Sequence, residues 1–126
     1  MTRATCLLVL TLAAGCSSRP EGPLTAGGRP VSHWLDELRS PDPKARKKAV
    51  RELGHVGKAD PAAIPAVTGA LKDPDPQVRA EAALALLNLG PDAAEAAPAL
   101  AEATQDKDPK VREYAAKALE RVRGNP

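Results

Sequence analysis

The sequence predicts an all-α protein, an α-α solenoid built from three helical hairpins. Three observations carry that prediction. A shift of 33 residues superposes the chain on itself twice without gaps. Each superposed block opens on an Asp-Pro pair, which marks a helix start, and continues with apolar residues at helical spacing. The apolar fraction of 43% is dominated by Ala, with one Trp, one Tyr and no Phe among 126 residues. Side chains this small fill a core only where backbones approach closely, as they do between packed helices; sheets draw more on Val, Ile and aromatics.

At the N-terminus, Arg3 gives a short basic start and residues 4–14 form an almost unbroken apolar run. That run is too short to span a bilayer, which takes about 20 residues, so residues 1–15 read as a signal peptide. Leu12-Ala13-Ala14-Gly15-Cys16 resembles the lipobox of bacterial lipoproteins, with Ala13 at the place where that family most often has Leu. The resemblance implies cleavage before Cys16, a diacylglycerol on its thiol, and export to a membrane of the bacterial cell envelope. Cys6 would leave with the signal peptide, so the mature chain would hold no pair of thiols for a disulfide. Residues 16–30, rich in Ser, Pro and Gly, read as the lipidated Cys and a flexible linker.

The repeats occupy residues 31–123, divided at about 31–57, 60–90 and 92–123. Asp42-Pro43-Lys44-Ala45-Arg46 becomes Asp75-Pro76-Gln77-Val78-Arg79 and then Asp108-Pro109-Lys110-Val111-Arg112. Asp caps the free N–H groups of a helix start, and the missing N–H of Pro costs nothing at the first helical position. Second helices are therefore expected at 44–56, 77–89 and 110–122. In the middle repeat Val78, Ala82, Leu86 and Leu89 share a face, and Gly90-Pro91 ends the run. First helices are expected at 31–39, 61–72 and 92–105, with Trp34, Val67 and Leu100 in equivalent positions. Pro65 and Pro98 require the last two to begin late or to kink.

The pattern Asp-Pro-x-x-Arg-x-x-Ala-x-x-x-Leu followed by Gly resembles HEAT repeats, in the short form found in phycobilisome-lyase-type proteins. The Thr-Pro-Leu-His signature of ankyrin repeats and the aromatic positions of tetratricopeptide repeats are absent. The resemblance implies a right-handed superhelix. It also implies a hydrogen-bonding ladder between repeats, made by Asp42, Arg46, Asp75, Arg79, Asp108 and Arg112, and a concave binding surface lined by the second helices.

Composition and motifs argue against several functions. A formal charge of +2, from 18 basic and 16 acidic residues, does not suit a polybasic nucleic-acid carrier, and two aromatics offer little for base stacking. His33 and His55 are not spaced as metal ligands, and His33 beside Trp34 reads as a packing contact. There is no His-Glu dyad, Gly-rich phosphate loop or nucleophile elbow. Neither an enzyme, a metal, a cofactor nor a small-molecule substrate is expected.

The positions that vary between repeats are free to meet a partner. On the second helices these are Lys44, Lys48, Arg51 and His55, then Gln77, Glu81, Leu84 and Asn88, then Lys110, Tyr114, Lys117 and Arg121. They carry a surplus of five positive charges. Lys44, Lys48, Arg51, Leu84, Tyr114, Lys117 and Arg121 are the expected partner-binding residues, since exposed Tyr and Arg are common interface anchors. The expected function is a non-catalytic, lipid-anchored scaffold or adaptor that binds a protein partner. The alternative is an anionic polymer or acidic headgroups held by the basic groove. A lyase-like enzyme or accessory chaperone ranks third, because no residue can be assigned as its nucleophile or base. Apolar surface at the two ends of a short stack would also favour end-to-end association.

Overall fold

The Asp-Pro pairs start helices where the sequence places them. The computed structural model describes residues 28–125, so the signal peptide, Cys16 and most of the linker lie outside the described residues. The second helices α2 (Pro43–Val56), α4 (Pro76–Leu89) and α6 (Pro109–Val122) are each 14 residues long and each begin on the Pro. Asp42 accepts from the Lys44 N–H, Asp75 from Gln77 and Val78, and Asp108 from Lys110 and Val111. Such caps are worth about 1 kcal/mol apiece.

The first helices are shorter than expected. α1 (Val31–Glu37), α3 (Ala63–Gly69) and α5 (Ala97–Ala103) have seven residues each. The prolines explain the late starts: Pro98 is the second residue of α5 and Pro65 the third of α3, both within a first turn that leaves N–H groups unused anyway. The rest of the predicted segments is turn or tighter helix. A 3-10 turn at Ala70–Lys72 extends α3, and another at Gly90–Ala96, kinked at Ala93, leads into α5. Gly90 ends α4 at φ +59°, a conformation that favours glycine.

Among the described residues every regular element is helical, and the helices form two layers. α2, α4 and α6 lie side by side with α4 in the middle, while α1, α3 and α5 each pack on the second helix of their own repeat. Trp34, Val67 and Leu100 are buried as equivalents, and so are Val78, Ala82, Leu86 and Leu89. The layer of second helices is tight because its contacts are small. A Cβ added to Gly54 would lie 2.8 Å from the Cβ of Ala85, and one at Gly57 would lie 2.9 Å from Leu89.

The two sides of the stack differ. Ala83 and Leu87 of α4 become Ala116 and Glu120 in α6, where both are exposed beside Arg112 and Arg123. The outer face of α6 is thus polar where the equivalent face of α4 is covered. Leu35 in α1 is the one large exposed hydrophobic residue among the described residues.

Candidate functional site

Two sets of polar side chains organise the molecule, one between repeats and one on the face of the second helices. The first is the ladder. Arg46 donates from Nε and Nη2 to the two carboxylate oxygens of Asp73 at 2.9 and 3.1 Å, and Arg79 does the same to Asp106 at the same distances. In each case Nη1 is held by two carbonyls of the preceding loop, Ser40 and Pro41 for Arg46, Asp73 and Pro74 for Arg79. This bidentate fork is the strongest arrangement available to an Arg and a carboxylate.

The acidic half of the expected ladder needs correction. Asp42, Asp75 and Asp108 do not reach the next repeat; their carboxylates cap their own helices. The inter-repeat partners are Asp73 and Asp106, each two residues before the cap, which also accept from the N–H groups of Asp75 and Asp108. Sequence reasoning missed them, although the Asp-x-Asp-Pro spelling of Asp73-Pro74-Asp75-Pro76 and Asp106-Lys107-Asp108-Pro109 carried the signal. In the first repeat the equivalent residue is Ser40, whose Oγ accepts from the Asp42 N–H and so keeps the local bond without the charge. At the other end Arg112 repeats the loop contacts, donating from Nη1 to the Asp106 and Lys107 carbonyls, but among the described residues no carboxylate meets its fork.

Electrostatics follow this geometry. The hydrogen bond from Arg46 to Asp73 raises the Arg46 guanidinium above its ordinary value against a smaller opposing effect of burial. At Asp106 burial works to raise the carboxyl, and the Asp108 N–H, the Arg79 fork and nearby positive charge together outweigh it, so the group is lowered.

The second set lies on the second helices. Arg51 of α2 forks onto Glu81 of α4 at 2.9 and 3.1 Å, with the Glu81 side chain nearly buried and Arg51 half exposed. That hydrogen bond holds the Arg51 guanidinium above its ordinary value. Around this pair Gly54, His55, Leu84, Ala85 and Asn88 form a shallow dimple. Beside it a groove of about 400 Å³ spans all three second helices, lined by Lys47, Gln77, Ala80, Glu81, Leu84, Asp108, Lys110 and Tyr114. Tyr114 packs partly against the core, and the Lys110 ammonium lies 5.8 Å from its ring centroid.

The expected binding residues are therefore divided. Arg51, Leu84 and Tyr114 line the dimple or the groove. Lys44, Lys48, Lys117 and Arg121 are exposed but line neither. Lys48 sits 5.6 Å from the Trp34 ring centroid, and Lys117 is paired with Glu113 of its own helix at 2.6 Å. Lys47, which the sequence stripe omits, is part of the groove wall. His33 meets Trp34 edge-on at 4.8 Å, and no group of three His, Cys, Asp or Glu converges among the described residues.

Stacked hairpins whose second helices form one layer, tied by Arg forks between repeats, define an α-helical repeat protein. The sequence pattern of HEAT repeats matches residues 31–120, and the chain belongs to that family. No curated protein matches it. Among solved structures it is similar to an engineered protein whose crystal structure was determined by the Northeast Structural Genomics Consortium, with 26% identity and a TM-score of 0.63 over 79% of this chain. The match covers 47% of that engineered chain, so this protein spans about half its length.

Proposed function

We propose that this chain is a non-catalytic scaffold of the bacterial cell envelope, anchored to a membrane by lipid on Cys16, that binds a protein partner through the face of its second helices. HEAT repeats generally serve as protein-interaction scaffolds, and the lipobox-like Leu12–Cys16 stretch supports the anchor. The observation that carries the reading is the groove, which draws on α2, α4 and α6 together and places Leu84 and Tyr114 between polar walls. An aromatic and an aliphatic side chain ringed by polar groups is the usual build of an interface centre.

In-cell photocrosslinking from position 114 tests the binding face, with position 95 on the first-helix side as the control. A protein adduct from 114 and none from 95 is expected; adducts of equal yield from both would remove the face assignment. The anchor is tested separately by fractionation, where Cys16→Ala is expected to move the chain from the membrane to the soluble fraction.

A second reading, in which an anionic polymer or acidic headgroups occupy the same face, is favoured by the charge distribution. Helices α2, α4 and α6 carry ten Lys and Arg against four Glu, whereas the other described residues carry six against eleven acids. Binding that weakens steeply and uniformly with salt, without a protein adduct at 114, would select that reading.

A further inference from the structure

We infer that the partner presents an acidic segment to the second-helix groove, one apolar side chain resting on Ala80, Leu84 and Tyr114 while carboxylates on its two sides reach Lys47 and Lys110. This rests on the reading of the groove as a protein-binding site and specifies the chemistry of what enters it.

The groove's formal charges balance, two lysines against two carboxylates, but the two kinds are not equally free. Its two carboxylates are already engaged: Glu81 is held by both donors of the Arg51 fork, and Asp108 accepts the Lys110 and Val111 N–H groups at the start of α6. Its two ammonium groups are not. Among the described residues neither Lys47 nor Lys110 forms an ion pair; the Lys110 ammonium lies over the face of Tyr114 and near enough to Glu113 to help lower that carboxyl, whose own partner is Lys117. The surrounding helices add to the positive field, and a concave wall of low dielectric concentrates it.

Between the two lysines the lining turns apolar, with Ala80 buried and Leu84 and Tyr114 partly so. A lipid headgroup layer offers charge without a side chain for that floor, and a uniform polyanion likewise. A peptide that alternates carboxylates with one apolar residue satisfies both features of the groove.

The test uses the full membrane-tethered chain with a photoreactive residue at 114, and maps the crosslinked stretch of the partner by mass spectrometry. An adduct on a segment with acidic residues flanking an apolar one is expected. Its yield should fall roughly tenfold in Lys47→Glu/Lys110→Glu and recover when the partner's acids are changed to Lys. Lys47→Gln/Lys110→Gln serves as the milder pair if charge reversal disturbs folding, with thermal melting as the check. A protein adduct on a neutral or basic segment, or a yield indifferent to the lysine substitutions, overturns the inference and leaves the scaffold reading standing. An adduct with a second copy of this chain also overturns it. No protein adduct at all, or lipid alone, removes both.

Discussion

Charge pairing decides which side chains hold the repeats together. Arg79 is buried, and its fork on Asp106 and its two loop carbonyls satisfy it on every side. Arg79→Ala would leave Asp106 uncompensated in a covered site, with an expected loss of about 3 kcal/mol in chemical denaturation. Arg112→Ala, at the equivalent but exposed position, is expected to change stability by less than about 0.5 kcal/mol. Equal losses from the two would show that the loop contacts, which both arginines make, outweigh the fork. The lowered carboxyl of Asp106 adds a pH dependence. Because its folded value lies below the ordinary 3.8, its contribution is complete above that pH and is lost as pH falls through the folded value. Asp106→Asn should therefore flatten the acid limb of the stability profile, measured by denaturation at a series of pH values. This scale was half legible in the sequence. The 33-residue recurrence singles out Arg46, Arg79 and Arg112 alike, yet only the first two fork onto the next repeat, and the recurring Asp before each Pro draws the pairing to itself. The true partner escaped because Ser40 replaces it in the first repeat, where no earlier Arg calls for a charge.

Helix boundaries follow the chemistry of their ends closely where that chemistry is explicit. Asp-Pro fixed the starts of α2, α4 and α6 to within a residue, and Gly90 fixed the end of α4. The first helices were legible as elements but not in length, since runs such as Ala93-Ala94-Glu95-Ala96-Ala97 contain no stop signal and the chain tightens into 3-10 turns instead. What the sequence did not disclose is the closeness of α2 to α4. Gly54 falls inside a helix, where Ala would ordinarily be favoured by about 0.5–1 kcal/mol. Here an added Cβ would meet Ala85 at 2.8 Å with the Ala85 Cα only 3.6 Å away, so the helices themselves must separate. Gly54→Ala is expected to destabilise by about 1–3 kcal/mol despite the better helix propensity. Ala85→Gly in the same chain should recover part of that loss, and a thermal melt of the double variant no better than the single would show that the contact is not the cause.

As a whole the molecule is a short stack whose middle is better held than its ends, and this ordering is itself measurable. α4 has α2 on one side, α6 on the other and α3 above it, and eight of its 14 residues are buried. α1 has seven residues and one buried side chain, Trp34, with no carboxylate of the ladder behind it. In a quasi-one-dimensional array each repeat is stabilised by its neighbours, so an edge repeat opens at lower cost than the centre. Native-state hydrogen exchange should accordingly show α4 amides protected up to the global unfolding free energy and α1 amides opening well below it, with α6 between them. The intermediate rank of α6 follows from its polar outer face: it packs on α4 and α5 but carries Arg112, Ala116 and Glu120 exposed where α4 carries covered residues. If the groove serves a partner, its occupation bridges α2, α4 and α6 and should raise protection in α6 toward that of α4 while leaving α1 unchanged. Uniform protection across α1 to α6 in the free protein would mean that the described hairpins already unfold as one cooperative unit, with no loose edge for a partner to tighten.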